Sequence, residues 1–188
     1  MKEKKNKLAV ITMITLYPFV LILIALGVNF FILDINPILV ALPNISQIQA
    51  FTIAVLLLII NHTWLMTTTE LTRVEFNMFA TPEERDKNNV TPEDAPIVGV
   101  REIEKRHNAH RNTTENTIYF IALAFILLLV SASNLSTWIW CLSFPLARLG
   151  YTYSYISGNE NLRGLFMSIS LLALFGISTQ LILSMNVN

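Results

Sequence analysis

The stretch "REIEKRHNAHRNTTENTIYF", residues 101–120, carries Asn108, Arg111, Asn112 and Glu115 at spacings of i, i+3, i+4 and i+7. On a helix those four residues share one stripe. Arg148, Tyr151, Thr152 and Tyr155 repeat the same spacing further along the chain. Both stripes border long apolar runs, and Arg73 and Arg163 stand at the ends of two others. Charged groups inside a membrane cost about 2.5–3.5 kcal/mol each on insertion scales and normally face a bundle interior or a wet cavity. Snorkelling at helix ends, or an ion pair such as Arg111 with Glu115, accounts for any one of these residues. It does not account for the set, because Arg73, Arg111, Arg148 and Arg163 outnumber the nearby acids Glu70 and Glu115. Arginine's planar fork matches carboxylates in a bidentate way, so the cation excess calls for an anionic ligand. A lone carboxylate among arginines, Glu115, would hold an ammonium group.

Helices across a bilayer must position these groups. Of the 188 residues, 53% are hydrophobic and 14% charged, against about 25% charged in soluble domains, which points to an integral membrane protein. Net charge is zero, so no global field favours nucleic acid. Five apolar runs, residues 8–33, 48–73, 112–131, 135–156 and 163–185, approach the length that crosses about 30 Å of hydrocarbon. Without water to satisfy the backbone, each is predicted to be a helix, and Pro18 and Pro145 within them mark kinks and not ends. The leading "MKEKKNK" and its apolar run resemble a signal peptide, but the run outlasts a signal core of ~7–15 residues. A retained anchor helix is the expectation. Lysine and arginine cluster before the first run and between residues 73 and 111, and are absent from 34–47 and 132–137. By the positive-inside rule the N-terminus and the 75–111 loop are expected in the cytoplasm, with five crossings. "TPEERDKNNVTPEDAP" reads as irregular loop. The chain divides into a 1–47 tail, helix and connection and a 48–188 four-helix domain. Cys141 reads as a buried packing thiol and His62 as a packed or hydrogen-bonded histidine. No His or Cys spacing suggests a metal site.

On this topology four helices aim cationic or hydrogen-bonding groups at one level near the cytoplasmic face. A ligand with two carboxylates and one ammonium describes glutathione. The motifs also resemble a known family. "EKRHNAHRNTTENTIYF" is similar to the signature entering the second helix of the MAPEG proteins, the membrane-associated proteins in eicosanoid and glutathione metabolism. Its Ala-His-x-Asn-x-x-Glu core falls on Ala109, His110, Asn112 and Glu115. "ARLGYTYSYI" resembles the family's Arg-x-x-x-Thr-x-x-Tyr stretch at Arg148, Thr152 and Tyr155, and "RVEFNMFATPEE" its Arg-to-Pro-Glu passage at Arg73, Phe79, Ala80, Pro82 and Glu83. The resemblance covers residues from about 50 to 183 and is closest to the microsomal glutathione transferase and prostaglandin E synthase branch.

The resemblance implies an all-α, four-helix protomer, a homotrimer, and glutathione held between subunits. It implies glutathione contacts at Arg73, Arg111, Asn112, Glu115, Arg148, Tyr155 and Arg163, with His110, Tyr151 and Thr152 in the same motifs. Arg163, opening the last helix, falls where the family has a proposed stabiliser of the glutathione thiolate, and a cation beside a thiol raises its thiolate fraction. Arg148 and Arg163 are thus the expected catalytic pair, and an apolar groove would present a lipophilic electrophile or hydroperoxide. Departures are the extra N-terminal helix, Asn108 where arginine is common, Tyr151 in place of a histidine, and Gly164 in place of a serine. The last counts against prostaglandin isomerisation. Two other functions stay open: a non-catalytic lipid-binding scaffold, and a transporter, which would more often show discontinuous helices or polar groups across the full depth.

Overall fold

Long apolar runs with polar ends give a fold whose regular elements, among the described residues, are helices. The computed structural model describes residues 2–33, 35–130 and 132–187, with side chains from Lys7 onward. Asp34, Ser131 and the side chains of Lys2, Lys4 and Lys5, which enter the expected connection, third run and basic leader, lie outside the described residues. The elements are α1 (Lys2–Phe31), α2 (Ile45–Glu75), a short α3 (Pro82–Asn88), a 3-10 turn (Pro92–Asp94), α4 (Ile97–Leu128), α5 (Asn134–Ile156) and α6 (Glu160–Asn186). Pro18 and Pro145 lie inside α1 and α5 without ending either.

Within the described residues, Lys7–Phe31, Ile45–Glu75 and Glu160–Asn186 are long and apolar enough to cross a membrane. The 32 residues of α4 and 23 of α5 also exceed the ~20 a span needs, but their polar stripes dilute them. The expected loop from 75 to 111 is corrected: α4 starts at Ile97, well before residue 112. Local chemistry explains the difference. Glu102 pairs with Lys105 at i+3 and with Arg106 at i+4 (2.8 Å), knitting a charged first half into helix. Lys105, then Arg106, hold the Glu102 carboxyl below its usual range. "TPEE" likewise builds a capping box, with Thr81 and Glu84 satisfying each other's backbone around Pro82.

The centre of the bundle is α5, which packs on α2, α4 and α6, while α1 lies outside against α6. α2 turns Ala50, Ala54, Leu58 and Leu65 inward at helical spacing, and its alanines let backbones approach closely. Phe120 of α4 stacks on Phe144 of α5, ring centroids 4.3 Å apart. Cys141 is buried in the same core.

A buried polar knot fastens α1 to the bundle. Asn29, with no exposed surface, donates to the Gly176 carbonyl and to Thr179 Oγ1, both at 2.8 Å, and accepts from Trp140 Nε1 at 2.9 Å. The Trp140 ring fits only because residue 176 is glycine; a Cβ there would stand 2.6 Å from it. Asn29→Leu leaves the Trp140 N–H buried without its acceptor, so unfolding stability in detergent should fall by about 1–3 kcal/mol. Thermal and denaturant melts equal to wild type would show that this knot does not hold α1.

Candidate functional site

The α5–α6 reversal sets up the site. Gly158 takes a left-handed φ of 69°, which glycine adopts without strain at a helix C-terminus. Asn159 then caps α6 by accepting from Leu162 N at 3.1 Å. The chain turns back so sharply that the Arg163 guanidinium lies over the Tyr155 ring, 5.0 Å from its centroid. Tyr155 packs on Tyr151 at 5.0 Å between centroids, and Arg148 sits 4.3 Å from the Tyr151 ring. A column runs Arg148, Tyr151, Tyr155, Arg163, each cation facing an aromatic ring.

Arg148 is the deepest member, with no exposed surface. Its Nη1 donates to Asn112 Oδ1 of α4 at 2.9 Å, and its Nη2 donates to Ser170 Oγ of α6 at 2.9 Å and to Met167 Sδ at 3.5 Å. One guanidinium therefore ties three helices and fixes the Asn112 amide. Tyr151 and Thr152 are buried beside it, and the Thr152 hydroxyl has no partner.

The remaining sequence-predicted residues lie nearer the surface. Arg111 and Glu115 are exposed on α4. Arg111 Nη2 donates to Asn108 Oδ1 at 2.7 Å, and the Arg111–Glu115 ion pair, the alternative to a ligand role for these residues, is not formed. Arg73, half-buried on α2, pairs with Glu70 at 2.7 Å. His110 shares a hydrogen bond of 3.3 Å with His62, which gives that histidine its partner. The structure thus joins Asn112, Arg148, Tyr151, Tyr155 and Arg163 directly, and leaves Arg73, His110, Arg111 and Glu115 outside that network. Among the described residues, only Arg73 of the four arginines has a carboxylate within ion-pair reach.

Sequence reading missed Ser170 and Met167, Arg148's partners on α6, and Asn29. It also missed Asn61, buried on α2 with both amide atoms unpartnered. Asparagine inside an apolar run was the available signal for Asn29 and Asn61. Nothing distinguished Ser170 from the other helix serines.

These features define an all-helical integral membrane protein whose polar groups gather around a cationic, aromatic-lined corner of the bundle. The family model for the MAPEG family matches residues 51–183, and the chain belongs to that family. No curated protein matches it in a sequence search.

Arg148→Lys tests the three-helix tie. Lysine keeps the charge, but its single ammonium lacks the fork that reaches Asn112 and Ser170 together. Stability should drop by about 1.5–3 kcal/mol, the worth of a charged hydrogen bond. An unchanged unfolding midpoint would mean that the fork is not needed.

Proposed function

We propose that this protein is a membrane-bound glutathione transferase, of the microsomal glutathione transferase and prostaglandin E synthase branch of its family. It joins the glutathione thiolate to lipophilic electrophiles, or reduces lipophilic hydroperoxides with it. The observation that carries the reading is the set of three guanidiniums, on Arg111, Arg148 and Arg163, whose protein partners are neutral. Cations without carboxylates suit a ligand that brings its own, and glutathione has two carboxylates and a thiolate.

In this reading Arg111 and Arg73 take the carboxylates and Glu115 takes the ammonium. Asn112, aimed by Arg148, binds the peptide backbone, Tyr155 with Tyr151 and Thr152 shapes the wall, and His110 contributes from the α2-facing side of α4. Arg163 stands by the sulfur. Its charge favours thiolate over thiol, the sulfur attacks the electrophilic atom, and the displaced group leaves with the electron pair. Arg111 and Glu115 point away from the protomer, which suits a ligand shared between copies. In this reading the working assembly is a homotrimer in the membrane lipid, as the family resemblance implies, with N-terminus and site on the cytoplasmic side, as the lysine and arginine placement favours.

A non-catalytic lipid-binding scaffold is the second reading, favoured by an apolar groove between α2 and α4. Calorimetric titration with reduced glutathione separates the two. Wild type should bind, and Arg111→Ala and Arg73→Ala should each lose about 1.5–3 kcal/mol, one charge-assisted contact. No binding by wild type favours the scaffold; wild-type affinity in both variants removes these arginines from the site.

A further inference from the structure

Helix α1 lies outside residues 51–183, the part of the chain that matches the family, yet it is built into the bundle along one edge. Tyr17, Leu21, Ala25 and Asn29 recur at every fourth residue and so form a single ridge on α1. Leu21, Ala25 and Asn29 are buried, and α1 packs on α6. Asn29 fastens the C-terminal end of that ridge to Gly176 and Thr179. Tyr17 fastens the N-terminal end: its hydroxyl donates to Ser168 Oγ at 2.6 Å. Both contacts advance together along the two helices, so α1 and α6 run parallel.

Tyr17 stands about 15 Å along α1 from Lys7, at ~1.5 Å per residue, near the middle of a hydrocarbon core about 30 Å thick. In hydrocarbon no water serves a phenol hydroxyl, so its partner must come from the protein. Ser168 is that partner, and the chain of bonds continues through it. The Ser168 hydroxyl donates to the Gly164 carbonyl at 2.8 Å. Hydrogen bonds in series polarise and strengthen one another. The relay from Tyr17 through Ser168 ends on the residue that follows Arg163.

That turn of α6 needs outside support. Glycine is a poor helix former, and nothing lies within 4 Å of where a Cβ on Gly164 would stand. The turns that follow are held on the α5 side. The Phe166 ring covers Gly150, where any Cβ would collide with it, and Met167 and Ser170 bind Arg148. At 3.6 residues per turn, Ser168 falls roughly opposite Phe166 and Ser170, whereas Arg163 falls on their side. Contacts on opposite sides fix the rotation of a helix as well as its place.

We propose that Tyr17 is a positioning residue for Arg163. By holding the back of α6 through Ser168, it fixes the rotation that keeps the guanidinium over Tyr155 and beside the bound sulfur. This role rests on the glutathione reading above, and it brings into the site's support a helix outside the matched family residues.

The test compares wild type, Tyr17→Phe, Ser168→Ala, their double variant and Thr15→Val as full chains in lipid nanodiscs. Thr15 serves as the control on α1, because its hydroxyl bonds to Ile11 of the same helix. Hydrogen exchange without glutathione should speed up several-fold over residues 160–168 in Tyr17→Phe, and keep its wild-type rate in Thr15→Val. With glutathione bound, thiolate absorbance in Tyr17→Phe should appear about half a pH unit higher than in wild type. Conjugation of chlorodinitrobenzene should slow about threefold at neutral pH, with KM for glutathione nearly unchanged. Ser168→Ala should act alike, and the double variant should be no worse than either single one, because both cut the same relay. Wild-type exchange rates in Tyr17→Phe overturn the role whether or not glutathione binds. So does a wild-type thiolate titration curve in that variant, or a double variant whose losses add. If exchange responds as expected but wild type binds no glutathione, the hold of Tyr17 on α6 is supported and the glutathione reading is the one removed.

Discussion

A guanidinium buried in an apolar helical bundle gives up its hydration, and that loss is recovered only if nearly every donor finds a partner. At Arg148 the two Nη groups find neutral partners, the Asn112 amide, the Ser170 hydroxyl and the Met167 sulfur, and the ion lies against the faces of Tyr151 and Phe144, while the buried Nε has no partner. The rest of the site depends on this arrangement. It sets α4, α5 and α6 in register, points the Asn112 amide, and starts the column of rings that ends under Arg163. A carboxylate in place of those partners would have neutralised the charge. With neutral partners, the positive potential remains available to whatever enters beside it.

The same logic separates structural from outward-facing polarity elsewhere in the bundle. Around Asn29, two donor contacts and one acceptor contact close a knot with nothing left over, and its consequence is mechanical: α1 is fastened to α5 and α6. Around Arg111 and Glu115 the groups are exposed and only lightly engaged. One kind of polar group holds helices together; the other faces outward from them.

Much of this was legible in the sequence because its signals are local and periodic. The i, i+3, i+4, i+7 stripes identify the helices that carry Arg111 and Arg148, and apolar run lengths locate α1, α2 and α6. Motif spacing points to the family that residues 51–183 match. The start of α4 was not legible by hydropathy, because its first half is helical through ion pairs and not through an apolar face. Pairings across helices were hidden for a different reason. That Arg111 bonds Asn108 and not Glu115, that Arg148 reaches Ser170, and that His62 meets His110 depend on helix rotation and register, which no single helix encodes.

The central claim is that guanidiniums lacking carboxylate partners exist to hold an anion, and that Arg163 holds the reactive one. Ultraviolet absorbance of the thiolate, recorded against pH with glutathione bound, tests it most directly for wild type and Arg163→Ala. A stabilising cation lowers the thiol pKa, and one pKa unit corresponds to about 1.4 kcal/mol. The account predicts that the mutant's thiolate appears at higher pH than wild type's, by a unit or more. Its conjugation rate should fall on the order of tenfold at neutral pH and recover partly in alkali, where the thiol ionises without help. Superimposable titration curves for the two proteins would contradict it.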